Sequence, residues 1–125
     1  MKDYKVIIAG SRKFSNYDKL KSECDRILKD KLEDTETNVI IVSGTAKGAD
    51  SLGEQYAHER GLQLESHPAD WQKYNRSAGI IRNIEMSKEA DALIAFPKEG
   101  EENRGTSHMV KIANRKGLIV HIADF

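Results

Sequence analysis

Five short apolar runs punctuate this chain, and most of the segments between them are long enough to form a helix. The runs are Lys5–Ala9 (KVIIA), Val39–Ser43 (VIIVS), Leu62–Ser66 (LQLES), Ala92–Phe96 (ALIAF) and Leu118–Ile122 (LIVHI). Strand-length runs alternating with helix-length segments mark repeated βαβ units, whose strands pair in parallel. The first, second, fourth and fifth runs are nearly continuous rather than alternating, the pattern of strands covered by helices on both faces. The expected fold is therefore α/β: a three-layer sandwich around a mostly parallel five-stranded sheet, ordered 3-2-1-4-5. A chain of 125 residues makes one such domain, spanning residues 1–125, with nothing to spare for a second.

The intervening segments carry helical periodicity. Tyr17, Leu20, Cys24, Ile27, Leu28 and Leu32 recur at helical spacing and place Cys24 on a buried stripe, as a core residue rather than a reactive thiol. A second helix is expected from Asp50 to Gly61, a third over Gly79–Glu89 and a fourth over Thr106–Lys116, closed by Gly117. Two connections are long for so small a domain: His67–Ala78 and Pro97–Arg104. Loops of that length more often carry function than merely join elements.

Composition removes several functional classes. Twenty Lys and Arg balance twenty Asp and Glu, so the basic excess usual in proteins that wrap double-stranded nucleic acid is missing. No apolar stretch approaches the length needed to cross a bilayer, and the N-terminal run is too short for a secretory signal. A single cysteine excludes an internal disulfide and fits a reducing compartment, so a cytoplasmic location is expected. His58, His67, His108 and His121 show no paired metal-ligand spacing, and His121 falls on a strand. No metal or cofactor is expected. Ser11 and Ser43 lack the setting of a nucleophile elbow.

The informative feature is a set of small, glycine-containing loops. Gly10-Ser11-Arg12 follows the first strand, Gly44-Thr45-Ala46-Lys47-Gly48-Ala49-Asp50 follows the second, and Gly105-Thr106 closes the loop after the fourth. In a parallel sheet with right-handed crossovers these loops share one edge, where ligands bind at the point of strand-order reversal. Helix N-termini there present N–H groups and positive dipole ends, and glycine admits a ligand close to the backbone, a combination suited to phosphate. The alternative is plain turn chemistry, with Thr45, Asp50 and Thr106 as ordinary N-caps. The GTAKGAD segment lacks Walker A spacing, so Lys47 has no P-loop role, and no G-x-G-x-x-G fingerprint occurs. Arg82 and Asn83 open the third helix, where the arginine fork suits a phosphate in the same crevice. Trp71 and Tyr74, beside Lys73 and Arg76, could stack on a base or cover the sheet edge.

At these residues the chain resembles a known group. IAGSR-x-F (Ile8–Phe14), VSGTAKGAD (Val42–Asp50), PADW-x-KY (Pro68–Tyr74), AG-x-x-RN-x-x-M (Ala78–Met86), ADALIAF (Ala90–Phe96) and RGT (Arg104–Thr106) resemble the SLOG superfamily, and in particular its small YspA-like branch found in bacteria and phages. The resemblance implies a Rossmann-like fold and a nucleotide-like ligand held by Gly10, Ser11, Arg12, Gly44, Thr45, Gly48, Ala49, Gly105 and Thr106. It also implies pairing of chains through helices, as a homodimer or higher homo-oligomer. The superfamily includes LOG phosphoribohydrolases and the DNA-processing DprA proteins. Arg82 and Met86 match the R-x-x-x-M element of LOG enzymes, but Met109 stands where those enzymes carry the glutamate needed for N-glycosidic cleavage. A thioether cannot replace that carboxylate. Asp50, Asp70 or a carboxylate of Glu99, Glu101 and Glu102 could substitute for it.

These readings lead to a module that binds a nucleotide or nucleotide-derived signal, as a sensor or a sequestering protein, with Lys47, Asp50, Arg82 and Asn83 among the residues at the site. The alternatives are a phosphoribohydrolase or other N-glycosidase acting on nucleoside monophosphates, and DprA-like contact with single-stranded DNA through Lys47, Lys73, Arg76 and Arg82. Zero net charge argues against the last.

Overall fold

The central strand explains the architecture. In the computed structural model, which describes residues 1–101 and 103–125, β1 (Lys2–Gly10) is flanked on both sides, by β2 (Thr37–Ser43) and β4 (Ala92–Phe96). Val6, Ile7 and Ile8 are wholly buried. Each such side chain contributes on the order of 1.5–3 kcal/mol relative to exposure. β3 (Gln63–Ser66) pairs with β2, and β5 (Ile119–Ile122) with β4, giving the order β3-β2-β1-β4-β5 with every pair parallel. The expected order is thus found, and the sheet is wholly rather than mostly parallel.

The two-residue period of the strands divides the core. Val6, Ile8, Val39, Ile41, Ile94 and Phe96 face α1 (Tyr17–Glu33) and α2 (Ala49–Arg60). Ile7, Ala9, Val42, Leu93 and Ala95 face α4 (Ala78–Ser87) and α5 (Arg104–Arg115). α1 starts where the Asn16 side chain accepts the Lys19 N–H at 3.0 Å. Its stripe Leu20, Cys24, Leu28 is buried, and burial pushes the Cys24 thiol pKa up to about 12, which keeps it protonated and inert. α2 ends at Gly61 in the left-handed conformation (φ 68°).

Two expectations need correction. The fifth apolar run is an edge strand, with Ile119 56% and Ile122 55% exposed, and not a strand covered on both faces. The stretch read as a long loop over His67–Ala78 is largely ordered: it holds the one-turn helix α3 (Trp71–Tyr74) and a 3₁₀ turn, Asn75–Ser77. Asp70 starts α3 by accepting the Lys73 N–H at 3.1 Å. No helix among the described residues is long and apolar enough to cross a membrane.

One aromatic cluster positions the site. Phe14, 2% exposed, stacks on Phe96 with centroids 4.9 Å apart and meets Phe125 edge-on at 4.7 Å. It pins the loop after β1, so that Ser11, Arg12 and Lys13 stand at the carboxyl edge of the sheet.

Candidate functional site

Ser11 is the hub of that edge. Its N–H donates to the Phe96 carbonyl at 2.9 Å, and its own carbonyl accepts the Ala49 N–H at 3.2 Å. The loops after β1, β2 and β4 are thereby locked together. The second contact requires Gly48, which sits at φ 77°, and a Cβ there would stand 2.3 Å from the Ser11 carbonyl oxygen. Gly48, not Thr45 or Asp50, is the N-cap residue of α2, and Thr45 takes the left-handed conformation at φ 63°.

Arg82 runs from α4 across the loop after β2. Its Nη1 donates to the Gly44 carbonyl, and its Nε donates to Asn83 Oδ1 at 3.0 Å. A Cβ on Gly44 would lie 2.7 Å from Arg82 Nη1 and 2.9 Å from Asp50 Oδ2, so glycine is what lets the guanidinium pass. Asp50, 5% exposed, accepts the Ala46 N–H at 3.2 Å. Burial raises its pKa above 3.8, and the Ala46 N–H and the Arg82 charge only partly offset that. Burial lowers the Arg82 pKa and Asp50 pulls it back up, leaving a guanidinium charged at any working pH.

Asn83 extends this line to α5. Its Nδ2 donates to His108 Nδ1 at 3.1 Å and approaches the Gly105 carbonyl at 3.4 Å. Burial, Arg115 and Lys111 all lower the His108 pKa below 6.5, so the ring is neutral near pH 7 and Nδ1 is an acceptor. At the start of α5 the N-cap Asn103 does not cap the helix. Its Oδ1 accepts the Lys98 N–H at 3.1 Å, and its Nδ2 donates to the carbonyls of Lys98 and Glu101, each at 2.9 Å.

These elements enclose a cavity of about 370 Å³ at the carboxyl edge, between the loops after β1 and β4. Gly10, Ser11, Arg12, Asp50, Arg82, Asn83, Gly105 and Thr106 line it, joined by Lys13, Ala46, Glu101, Asn103 and Arg104, while Met86 and Met109 supply its apolar side. Four cationic side chains (Arg12, Lys13, Arg82, Arg104) and two acidic ones (Asp50, Glu101) therefore meet in a chain of zero net charge.

The model of the YspA, cpYpsA-related SLOG family matches residues 4–74, more than half of the sequence. The chain belongs to that family. A relative is the Gene 61 protein of Mycobacterium phage D29, 32% identical over a gapped alignment of 127 positions that covers 96% of this chain and 97% of the phage protein. Among solved structures, DNA processing protein A (DprA) from Streptococcus pneumoniae superposes with a TM-score of 0.52 at 15% identity, covering 95% of this chain. The likeness extends over 58% of the DprA chain and concerns the fold alone.

Within this SLOG chain the expected site residues separate into two groups. Gly44, Thr45, Lys47, Gly48 and Ala49 do not line the cavity; Gly44, Gly48 and Ala49 pack beneath the residues that do, and Thr45 and Lys47 are exposed. Thr106 is 8% exposed inside the first turn of α5, two residues after its start, and is not its cap. Trp71 and Tyr74 do not cover the core: they are 53% and 36% exposed. Tyr74 lines a second cavity of about 310 Å³ on the β3 side, which shares Arg82 with the first; Trp71 lines neither. Met109, which the resemblance sets at the position of the LOG glutamate, is 1% exposed and packed in the core. Of the other carboxylates, Asp70 caps α3, Glu99 is exposed, and Glu102 lies outside the described residues.

Sequence reasoning missed Lys13, Asn103, Arg104 and His108. Arg104 and Asn103 adjoin the Gly105-Thr106 pair, and that adjacency was the available signal. His108 offered none, because its partner Asn83 is 25 residues away.

Proposed function

We propose that this protein captures a nucleotide or nucleotide-derived signal as a sensor or sequestering module, with the phosphate in the cavity between the loops after β1 and β4. The observation that carries this reading is that Arg12, Lys13, Arg82 and Arg104 line the same cavity as the first turn of α5, whose cap residue turns its side chain to the preceding loop instead. Helix-end N–H groups plus a guanidinium fork match a phosphate in charge and in donor geometry. Calorimetric titration with nucleoside monophosphates, ADP-ribose derivatives and cyclic dinucleotides tests it. At least one ligand of that panel should bind, and Arg82→Ala should weaken it on the order of 100-fold, with Arg82→Lys intermediate because charge survives and the fork does not. Absence of binding across the panel overturns the reading.

A second reading, cleavage of an N-glycosidic bond in a nucleoside monophosphate, draws on Asp50. It brings to the same cavity a carboxyl whose pKa is raised by burial, the property of a general acid. Chromatography for released base decides this, and base release that survives Asp50→Asn removes Asp50 from the role.

A further inference from the structure

The cavity on the β3 side has chemistry opposite to that of its neighbour. Six of its lining residues carry the argument: His67, Asp70, Tyr74, Ile81, Arg82 and Glu85. Its acidic groups are Asp70 and Glu85, and its cation is Arg82, whose Nη1 and Nε donors are engaged by the Gly44 carbonyl and Asn83. His67 is held by Glu65, with Nε2 2.8 Å from Oε2, and Glu65 is in turn bonded by Lys5 at 3.0 Å. The His67 and Lys5 hydrogen bonds lower the Glu65 pKa, so Glu65 is an ionised acceptor and His67 Nε2 is the donor. Asp70 Oδ1 accepts the Lys73 N–H and Glu85 Oε1 accepts from Lys88 Nζ, each at 3.1 Å, yet a carboxylate has about four lone-pair sites and takes further donors. Tyr74 contributes its ring, one face of which carries Lys73 Nζ 5.0 Å from the centroid, and Ile81 an apolar wall.

We propose that this second cavity is the base-recognition half of a bipartite site, and that it selects a base whose edge donates hydrogen bonds, guanine first. The proposal rests on the nucleotide reading above and adds what that reading leaves open: which base, and against which residues. Arg82, in the wall of both cavities, is where the two halves meet. A second phosphate is unsuited to a wall with two carboxylates, which disfavours ligands that would place phosphate in both cavities. Guanine presents N1–H and its 2-amino group side by side, two parallel donors for one carboxylate. Adenine and cytosine present one amino group beside a ring-nitrogen acceptor, which faces a carboxylate unfavourably. Uracil flanks its single N–H with two carbonyls. Trp71 takes no part, since it lies outside both cavities.

The full chain titrated with GMP, IMP, UMP and ribose 5-phosphate tests the assignment. IMP differs from GMP only by the 2-amino group. GMP should bind tightest, IMP about tenfold more weakly, and UMP near ribose 5-phosphate. Glu85→Gln or Asp70→Asn should close the gap between GMP and IMP by weakening GMP. Asparagine caps a helix as well as aspartate does, so D70N retains α3. If GMP, IMP, UMP and ribose 5-phosphate bind equally, or UMP binds best, the base assignment falls and the phosphate reading stands. If both variants keep the full gap between GMP and IMP, the carboxylate assignment falls. If none of the four binds, the base assignment falls, and the nucleotide reading falls with it only when the ADP-ribose derivatives and cyclic dinucleotides also fail to bind.

Discussion

The loops that begin α2 and α5 look alike in sequence, each a glycine-containing turn leading into a helix, yet they do opposite work. The loop after β2 is turned inward. Gly48 is pressed against the Ser11 carbonyl and Gly44 is crossed by Arg82, so its glycines let protein approach protein. At Gly105, by contrast, a Cβ would meet nothing within 4 Å, and the first turn of α5 faces the cavity. A glycine can thus mark close packing or an open approach, and only the neighbours across the sheet edge decide which. In this protein the loop with the denser glycine pattern is the scaffold, and the sparser one lines the open cavity.

The largest expected effect separates the two loops directly. Gly48→Ala combines a left-handed φ of 77° with a Cβ 2.3 Å from a carbonyl oxygen. It should destabilise the protein by about 3 kcal/mol, lowering Tm by roughly 10 °C. Gly105→Ala lies in a helix with open space around it and should leave Tm unchanged or slightly higher, because alanine is the better helix former. Thermal denaturation of the two variants side by side checks this. Equal losses of stability would erase the distinction between scaffold and surface.

That distinction could not be read in the sequence, and the reasons are physical. Continuous apolar runs such as Val6–Ala9 signal strands covered on both faces, and their alternation with helix-length segments signals a parallel sheet, so the sheet and its crowded carboxyl edge were legible. Apolar content does not distinguish a centre from an edge, which is why the run ending in Ile122 looked covered and is not. A helix of four residues has too few turns to show a period, and α3 left only Asp70, three residues before Lys73, as its signature. The line from Gly44 through Arg82 and Asn83 to His108 joins residues 38 and 25 apart, and local pattern does not register such contacts. The rules for parallel sheets with right-handed crossovers brought these loops to one edge, while the division of labour between them came from packing.

A smaller effect probes the inward side. Asp50 is buried, and its native pKa lies above 3.8 chiefly because burial disfavours the charged form. The folded chain therefore holds this proton more tightly than the unfolded chain does. The stability it contributes is full below pH 3.8 and is lost as pH rises through the native value. Asp50→Asn should flatten that part of the profile, measured as Tm against pH from about 4 to about 7. Parallel profiles for the two proteins would mean that Asp50 is not burdened by burial, and that the loop after β2 is more open than its packing implies.

The smallest effect tests the outward side. The Glu101 carboxylate takes Lys13 Nζ at 3.1 and 3.2 Å and Lys98 Nζ at 3.2 Å, tying the loops after β1 and β4 together at the rim of the cavity between them. Those two hydrogen bonds hold its pKa below 4.5, so it is charged at neutral pH. With the Lys13 side chain 65% exposed, the pair is a surface one that adds little to stability. Toward an entering phosphate, however, Glu101 both repels the ligand and competes for Lys13. Glu101→Gln should accordingly leave Tm nearly unchanged and strengthen phosphate-ligand binding about threefold at low ionic strength. The gain should vanish near 1 M salt, where the screening length falls to about 3 Å. Titration of both proteins at two salt concentrations is the measurement. A gain that persisted in high salt would trace to loop geometry rather than charge, while a loss of affinity would show that the Lys13–Glu101 pair shapes the cavity from within and belongs with the scaffold, as the glycines of the loop after β2 do.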